Sequence, residues 1–293
     1  MSKVIPKLFR INTGSCNGCD VEFVATAFVD KFQLDTLGIE LVSDVIDANL
    51  LVITGPLSAR SESFLKNALG KLKKPFVVVG IGTCSVSCGI FRDSYAINGP
   101  IDKFVEVDVN IAGCPPRPQS IAEGIAKGVK VLEQKMHGEV TPKAIDTIFK
   151  DFSAPESFRG KMSLNEENCT ACRTCETVCP SNAIEISSTD DGCFVHKIWH
   201  NSCCFCGNCA YFCPTGAIFA TNSFDTAKLQ SEKFSDVNIG HIDYQKCSCC
   251  GEMYMPPSQG LLNKSYRYDN VSKLNERICS KCRKEANFKR MYG

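Results

Sequence analysis

Two cysteine motifs with the same spacing are the most specific chemical feature of the sequence. The pattern C-x2-C-x2-C-x3-C-P begins at Cys169 in "CTACRTCETVCP" and again 34 residues later at Cys203 in "CCFCGNCAYFCP". In such a run, three thiolates on a tight loop hold one face of a 4Fe-4S cluster, and the fourth completes the neighbouring cluster. The spacing therefore predicts two clusters that lie close together, as an electron relay requires.

Each predicted cluster takes three ligands from one motif and its fourth ligand from the other motif. We name site I the set Cys169, Cys172, Cys175 and Cys213. We name site II the set Cys179, Cys203, Cys206 and Cys209. Eight unligated core thiols, or two zinc knuckles, are the weaker interpretations of the same residues.

A third set of cysteines is spread over the N-terminal part of the chain. Each follows a predicted strand: Cys16 and Cys19 lie in "SCNGCDVEF", Cys84 in "GIGTCSVSCG" and Cys114 in "IAGCPPRP". Parallel strands place their carboxyl ends at one edge of a sheet, where ligands bind. We name these four residues the N-terminal site and expect their thiolates to hold a third 4Fe-4S cluster. Zinc, which also accepts four thiolates, is the alternative.

Two further C-x2-C pairs close the sequence, in "KCSCCGEMYMPP" and "RICSKCRKEA". They form the predicted tail site, which consists of Cys247, Cys250, Cys279 and Cys282. The pairs favour a structural zinc ion in a ribbon-like module. A rubredoxin-like iron is the alternative, because the first pair runs C-x2-C-G and Tyr254 follows it.

Sixteen of the 20 cysteines are assigned in this way, and Cys88, Cys193, Cys204 and Cys249 remain. We expect each to be a buried or unligated thiol, although Cys204 and Cys249 lie inside binding loops and could replace an adjacent ligand. The four histidines are scattered and form no H-x-E or H-E-x-x-H pattern. Hydrolytic metal chemistry therefore lacks support.

The elements that must position the N-terminal site alternate between apolar runs and helix-like segments. Strands are predicted over 7–11, 39–43, 49–55, 75–82 and 104–113. Helices are predicted over 20–36, 61–72 and 118–135, the first with Val21, Val24, Phe28 and Phe32 on one side. This alternation predicts an α/β fold with a flavodoxin-like parallel sheet over residues 1–135.

The rest of the chain is predicted to form two smaller modules. Residues 136–165 have mixed charge, two prolines and no clear periodicity, so they are expected to be a surface connector. Residues 166–222 are expected to form an α+β, two-cluster ferredoxin-like domain, and residues 240–293 a metal-ribbon tail.

Composition limits the classes of partner. With 33 basic and 32 acidic side chains, the net charge of +1 lacks the footprint of a nucleic-acid-binding protein. No apolar run approaches the roughly 18 residues of a membrane span, so any membrane link is expected to come through partner subunits. The stretch "MSKVIPKLFR" has no secretory apolar region, which favours a reducing compartment where clustered cysteines bind metals.

Three motifs around the N-terminal site carry a resemblance to a known family. "GSCNGCDVE", "GTC" and "GCPPRP" are similar to the small subunit of energy-converting, group 4 NiFe hydrogenases, which include formate hydrogenlyase and are related to the 20 kDa subunit of complex I. Complex I homologues typically have adjacent cysteines where Cys16 and Cys19 are separated by two residues. The segment from "FRGKMSL" through both repeated motifs resembles the two-cluster ferredoxin subunit of the same complexes, here fused to the first.

The resemblance implies an electron-transfer subunit rather than a complete enzyme. The NiFe site would be on a partner large subunit, the N-terminal site would hold the proximal cluster, and the ferredoxin domain would exchange electrons with soluble ferredoxin. Antiporter-like membrane subunits would couple this transfer to ion movement, and the chain would lie on the cytoplasmic side, peripheral to the membrane. Glu22 resembles an acidic residue near the large-subunit interface and could relay protons. Alternatively, Glu22 is an exposed first-turn glutamate stabilised by the helix dipole.

Two rival functions remain open at this point. One is a soluble NiFe hydrogenase in which a gamma-type subunit feeds a deazaflavin- or nicotinamide-reducing partner. The other is a complex-I-like oxidoreductase without hydrogenase activity, which the absence of nickel from the purified complex would indicate.

Overall fold

Parallel strands form the centre of the N-terminal part of the chain. The computed structural model describes residues 5–29, 32, 38–137, 158–189, 192–257 and 277–292. The first seven strands are β1 (Lys7–Asn12), β2 (Glu40–Leu41), β3 (Leu50–Thr54), β4 (Leu57–Ser58), β5 (Val77–Ile81), β6 (Ile97–Gly99) and β7 (Val109–Ile111). The helices of this part are α1 (Gly18–Phe28), α2 (Glu62–Lys71), α3 (Thr83–Ser87) and α4 (Pro118–Met136).

Six strands form one sheet, in the order β2-β1-β3-β5-β7 followed by an edge strand, β12 (Ala227–Leu229), from much later in the chain. The first five strands run parallel, and β12 is antiparallel to β7. Strands β3 and β5 are fully buried between the two faces, which explains their continuous apolar sequences LLVIT and VVVGI. The predicted α/β fold with a mostly parallel sheet is confirmed.

Two apolar cores lie on the two faces of this sheet. Helices α1 and α4 pack on one face, where Phe23, Ile121 and Ile125 join buried side chains of the strands. Helix α2 packs on the other face through Leu65 and Ala68. The strand ends, which carry the predicted cysteine ligands, are therefore held in a rigid frame.

Three elements are clearly shorter than predicted, and the first of them is β2, which covers only Glu40–Leu41 of the strand predicted over 39–43. Helix α1 ends at Phe28 instead of 36, and residues 30–31 and 33–37 lie outside the described ranges, while Phe32 packs against the core. The strand predicted over 104–113 is reduced to β7, because a 3-10 turn at Ile101–Lys103 precedes an irregular stretch.

The side of α1 that packs on the sheet is not the side that the apolar spacing indicated. Cys19 and Phe23 are buried against the core. Val21, Val24 and Phe28 instead remain 67%, 50% and 71% exposed. The contacts of Cys19 and Phe23 set the rotation of the helix, and they leave an apolar side open to solvent.

Two copies of a short unit form the central part of the chain. Its strands are β8 (Met162–Leu164), β9 (Ile184–Ser188), β10 (Cys193–Trp199), β11 (Ile218–Ala220) and β13 (Val237–Asp243), and its one-turn helices are α5 (Thr174–Thr177) and α6 (Asn208–Tyr211). β9, β10 and β13 form an antiparallel sheet, and β11 pairs with β8. Each helix follows two residues of positive φ: Ala171 and Arg173 in the first copy, Phe205 and Gly207 in the second. Both cysteine motifs therefore form the same tight loop.

The segment after the second copy returns to the N-terminal sheet. Lys127 of α4 donates a hydrogen bond to the carbonyl of Ala227 in β12, with an N···O distance of 2.7 Å. Lys233, which is nearly buried, pairs with Asp102. Residues 223–239, which the predicted domain boundaries leave unassigned, thus connect the central part to the N-terminal part.

The structure also narrows the predicted connector. Helix α4 continues to Met136, and the N–H of Gly160 donates to the carbonyl of Thr221 at 2.9 Å just before β8. Residues 158–165 are therefore packed on the central part. Residues 138–157 lie outside the described ranges.

The tail contains a short hairpin and a helix. β14 (Gln245–Lys246) pairs with β15 (Met253–Tyr254), and α7 spans Ser280–Tyr292. A small core joins them, formed by Cys247, Tyr254, Ile278, Cys279 and Cys282. Within the described ranges of the chain, no helix has the length and apolar character needed to cross a membrane.

Candidate metal centres

The four cysteines of the N-terminal site lie beyond the carboxyl ends of three strands. Cys16 and Cys19 stand at the start of α1 after β1, Cys84 lies in α3 after β5, and Cys114 follows β7. A Cβ atom on Gly82 would be 2.6 Å from Sγ of Cys19 and 3.5 Å from Sγ of Cys84, so these two sulfurs meet at one point. The strand ends converge as the parallel sheet predicts.

The thiols of the N-terminal site act on one another's ionisation. The pKa of Cys19 is raised first by its hydrogen bond with Cys84, and then by burial and by the charges of Cys84, Cys114 and Cys16. Burial raises the pKa of Cys114, and the charges of Cys84 and Cys16 act in the same direction. Four thiolates this close repel one another unless a cation lies among them, so the donor set fits a metal cluster.

The loops that carry Cys84 and Cys114 are joined by Thr83. The N–H of Thr83 donates to the carbonyl of Gly113 at 2.8 Å, and the N–H of Gly113 donates to the hydroxyl of Thr83 at 3.0 Å. Gly113 has φ +146°, and a Cβ atom there would overlap the backbone of Pro116. Only glycine fits this turn without strain, and the two ligand loops are held as one unit.

Asp20 fixes the start of α1 next to Cys19. It pairs with Arg10, and its carboxylate accepts hydrogen bonds from Thr54 Oγ1 at 2.8 Å and Asn12 Nδ2 at 3.1 Å. These partners lie on β1 and β3, so Asp20 ties the helix to two strand ends. Nothing in the local sequence distinguishes Asp20 from an ordinary first-turn acid, which is why the motifs do not predict its role.

Glu22 lies beside a surface cavity near the N-terminal site. The same cavity is lined by Cys114, Arg117, Arg159 and Cys204. The side chain of Glu22 is half-buried. Because α1 begins at Gly18, its first-turn acid is Asp20, so the alternative of an exposed first-turn glutamate at position 22 is wrong. The role of Glu22 as a proton relay stays a prediction.

The cysteines of sites I and II separate into the two predicted sets. All four cysteines of site I line one cavity, and all four of site II line another. Backbone N–H groups approach the sulfurs in the same pattern in both copies. The first cysteine accepts from Ala171 at 3.5 Å in one copy and from Phe205 at 3.3 Å in the other. The last cysteine accepts at 3.2 Å in both copies, from Ala183 to Cys179 and from Ala217 to Cys213. Such donors stabilise negative sulfur, so the residues fit 4Fe-4S clusters. The ligand assignment itself stays a prediction.

Burial controls the ionisation of the inner cysteines. It raises the pKa of Cys175 to about 12 and that of Cys209 to about 11. The charges of Cys169 and Cys172 in site I, and of Cys209 in site II, also raise the pKa of Cys175. Cys175 and Cys209 also belong to one buried cluster, so sites I and II lie next to each other. Their thiols lose protons when they bind a metal.

Site II lies next to the N-terminal site. The hydroxyl of Thr83 donates to the carbonyl of Cys203 at 2.8 Å. Arg92 adds hydrogen bonds of 3.0 and 2.8 Å to both loops of site II. The charge of Cys206 is among those that raise the pKa of Cys114. The three sites thus follow one another through the molecule.

Two side chains that are not predicted ligands contact sulfurs of site I: Thr174 inside the first motif and His196 outside it. Nε2 of His196 lies 3.4 Å from Sγ of Cys175, and the hydroxyl of Thr174 lies 3.3 Å from Sγ of Cys172. His196 is fully buried, and burial lowers its pKa. Neither contact was predicted, because no spacing rule connects His196 to a cysteine motif.

The tail site is compact enough for a single ion. The sulfurs of Cys247, Cys250, Cys279 and Cys282 lie within 4.8 Å of one another, so they could hold one metal ion. Burial acts to raise the pKa of Cys247, but the backbone N–H groups of Cys250, Cys279 and Cys249 outweigh it and lower that pKa to about 6. Four sulfurs in this arrangement suit zinc or a single iron, and the choice between them stays a prediction.

The four unassigned cysteines lie in different surroundings. Cys88 is buried, Cys193 and Cys204 are half-buried, and Cys249 is exposed. Cys204 lines both the cavity of site II and the surface cavity beside Cys114. Their expected state as unligated thiols stays a prediction.

Two family descriptions match separate stretches of the chain. Residues 16–128 match the NADH ubiquinone oxidoreductase 20 kDa subunit. Residues 156–218 match a 4Fe-4S dicluster domain. The first stretch contains the whole N-terminal site, and the second contains sites I and II. The predicted 4Fe-4S ferredoxin domain is thereby confirmed.

Similar proteins are subunits of multi-subunit oxidoreductases. The chain is 36% identical over 138 residues to the probable membrane-bound hydrogenase subunit mbhJ of Pyrococcus furiosus, a match that covers 47% of this chain and 82% of that one. It is 34% identical over 152 residues to formate hydrogenlyase subunit 7 of Escherichia coli, covering 50% and 59%. It is 36% identical over 110 residues to an NADH-quinone oxidoreductase subunit of Flavobacterium psychrophilum, covering 37% and 60%.

Proposed function

The chain belongs to the family of the NADH ubiquinone oxidoreductase 20 kDa subunit, and from this premise we propose that it is the electron-transfer subunit of an energy-converting NiFe hydrogenase. Its relatives are subunits of hydrogenase and NADH-quinone oxidoreductase complexes. The chain joins this family to a 4Fe-4S dicluster domain. It is therefore a component of an oxidoreductase complex and transfers electrons within it.

The observation that carries the proposal is the succession of the three cysteine sites. The N-terminal site adjoins site II through Thr83 and Cys203, and site II adjoins site I because Cys209 and Cys175 lie in one buried cluster. In the proposal, the N-terminal site holds the proximal 4Fe-4S cluster, and sites I and II hold one cluster each. Bound 4Fe-4S clusters supply one-electron transfer, so cysteines that hold three in succession define a path along the chain.

The proposed modules follow from the same arrangement. The strand order β2-β1-β3-β5-β7 supports a flavodoxin-like first domain over residues 1–135. The proposed ferredoxin domain covers 166–222, and the proposed tail covers 240–293. In the tail, the group of four cysteines supports one structural zinc ion, with a rubredoxin-like iron as the alternative.

The proposed partner at the N-terminal site is a NiFe large subunit, on which hydrogen is made or split. Val21, Val24 and Phe28 support this proposal, because they form an exposed apolar side of the helix that begins at this site. Contiguous apolar side chains at a surface are typical of regions that partners cover. Glu22, on the same helix, is the proposed proton relay to that subunit.

The remaining partners are proposed from the relatives. Soluble ferredoxin is the proposed carrier at the other end of the path. The mbhJ relative is named as a probable subunit of a membrane-bound hydrogenase, which supports a place on the cytoplasmic side, attached to the membrane through antiporter-like subunits.

One experiment separates the electron path from the catalytic site. Cys172→Ser damages site I and Cys206→Ser damages site II, whereas the NiFe site on the partner keeps its own ligands. In the assembled complex, we expect both variants to retain hydrogen/deuterium exchange and to lose electron transfer between hydrogen and ferredoxin. Cys193→Ser, which alters a cysteine outside all four sites, should retain both activities.

Undiminished transfer in a variant shown by paramagnetic resonance to lack the cluster of site I or site II would refute the proposed route. Loss of hydrogen/deuterium exchange in Cys193→Ser would indicate that substitutions in this domain disturb the complex as a whole.

The similarity to the NADH-quinone oxidoreductase subunit supports a second candidate, a complex-I-like oxidoreductase without hydrogenase activity. Two residues separate Cys16 from Cys19, whereas complex I homologues typically have adjacent cysteines at this point. This spacing favours the hydrogenase. The nickel content of the purified complex decides between the candidates, since only a hydrogenase partner needs that metal.

A further inference from the structure

Sites I and II are built from repeated motifs, but their sulfurs meet different side chains. In each motif, a hydroxyl two residues beyond the last cysteine approaches that cysteine's sulfur, at 3.8 Å from Ser181 and 3.5 Å from Thr215. The backbone N–H donors are repeated in the same way. The motifs differ at their second cysteines, because Thr174 approaches Cys172 at 3.3 Å and Asn208 takes its place after Cys206. They differ again at their third cysteines, Cys175 and Cys209.

His196 approaches Cys175 from the middle strand of the three-stranded sheet. It lies in β10, where it is paired with Ile186 of β9 and Gly240 of β13. Its side chain is fully buried, and Nε2 lies 3.4 Å from Sγ of Cys175. Within the described part of the chain, no side-chain donor reaches the sulfur of Cys209. At the third cysteine, the repeat is therefore broken by a buried histidine.

The chemistry of the two groups determines which one donates. A cysteine sulfur bound to iron carries no proton and can only accept, so Nε2 of His196 must carry the hydrogen. Nδ1 is buried and has no hydrogen-bond partner among the described residues, which leaves it the lone pair of the neutral ring. Because water is excluded from this contact, the N–H···S bond acts on the sulfur without competition from solvent.

We propose that His196 tunes the reduction potential of the cluster at site I through this hydrogen bond, an inference that rests on the proposed function. An added electron increases the negative charge on the cluster and its cysteine sulfurs, and a donor to one sulfur stabilises that reduced state more than the oxidised state. The bond therefore makes the potential of site I more positive than the motif alone would. His196 is a positioning residue that makes two similar clusters unequal.

A redox titration of the full chain, followed by paramagnetic resonance, tests this role. Loss of a signal in Cys172→Ser identifies site I. His196→Phe keeps a ring but removes the donor, so it should shift the midpoint potential of site I to more negative values and leave site II unchanged. His196→Gln retains an N–H donor and should restore most of the shift.

A matched control is available in the same domain. His200 is also buried, but its Nε2 contacts the carbonyl of Met162 at 2.9 Å rather than a sulfur. His200→Phe should therefore leave the potential of site I unchanged.

Several outcomes would overturn the inference. An unchanged potential of site I in His196→Phe at full cluster content would do so, and so would equal shifts of sites I and II. If His196→Phe does not assemble site I, the unaltered chain labelled with nitrogen-15 histidine provides the test. Reduced site I should then show magnetic coupling to a histidine nitrogen. The lack of that coupling would refute the hydrogen bond. No 4Fe-4S signal from site I in the unaltered chain would instead refute the cluster assignment in the proposed function.

Discussion

Thr83 links two predicted cluster sites through one hydroxyl. That hydroxyl accepts a hydrogen bond from Gly113, next to Cys114, and donates one to the carbonyl of Cys203. The side chain is 1% exposed, so these partners cannot turn to water when it is removed. Leaving a buried polar group unpaired costs about 1–3 kcal/mol. One residue therefore contributes both to stability and to the spacing of the sites.

We expect Thr83→Val, which keeps the shape and removes the hydroxyl, to lower the free energy of unfolding by about 1–3 kcal/mol for each group left unpaired. It should also slow electron transfer between the N-terminal site and site II, because the loops lose the hydroxyl bonds that join Gly113 to Cys203 through this side chain. Denaturant unfolding and rapid-reduction kinetics measure the two effects. Thr83→Ser keeps the hydroxyl and is the control. Equal losses in both variants would assign the effect to the methyl group and contradict the prediction.

At the scale of elements, the turn after β7 decides where Cys114 lies. Gly113 has a positive φ, and a Cβ atom there would overlap Pro116. We expect Gly113→Ala to displace Cys114 and to reduce the iron content from about 12 to about 8 atoms per chain, since each 4Fe-4S cluster holds four. Metal analysis with paramagnetic resonance measures this loss, and zinc in the tail site should stay at about one ion per chain.

Gly70 provides the matched control for this substitution. It lies near the end of α2, and a Cβ atom there would meet nothing within 4 Å. Gly70→Ala should keep all of the iron and raise stability by up to about 1 kcal/mol, because alanine favours a helix. Full iron content in Gly113→Ala would contradict the assignment of Cys114. Only about eight irons in the unaltered chain, with none in the N-terminal site, would refute that site altogether.

At the scale of the whole molecule, the parts of the chain are interleaved rather than strung in series. β12 follows both cluster motifs in sequence, yet it completes the sheet of the N-terminal part. Lys127 and the pair of Lys233 with Asp102 hold this returning segment. Removing one partner of such a buried pair leaves an uncompensated charge, so a substitution of Lys233 or Asp102 alone is expected to be strongly destabilising.

Limited proteolysis of the isolated chain tests this organisation. The sequence predicts first cleavage between 136 and 165. Within that range, the N–H groups of Gly160 and Lys161 are hydrogen-bonded to the carbonyls of Thr221 and Ser223, so cleavage at these two residues is not expected. Because β12 remains paired with β7, the two fragments should stay together in native gel filtration and separate only when unfolded. Fragments that separate without denaturant would contradict the shared sheet. Cleavage inside 49–113 instead would contradict the predicted boundary.

Features encoded over short stretches of chain follow from the sequence alone. The spacing of the two repeated motifs predicts the loops seen at both, because three cysteines within seven residues can face one cluster only on a tight turn. The apolar runs of β3 and β5 predict buried parallel strands, and Pro118 predicts the start of α4. The gathering of Cys16, Cys84 and Cys114 follows from the common edge of parallel strands.

The tertiary structure alone decides which surfaces meet. It sets the side of α1 that is buried and the pairing of β12 with β7. It also creates the contact of Thr83 with Cys203, 120 positions away, and that of His196 with Cys175, 21 positions away. Such contacts depend on the shape and packing of whole elements, and no local pattern encodes them because the partners approach only after the sheets have assembled.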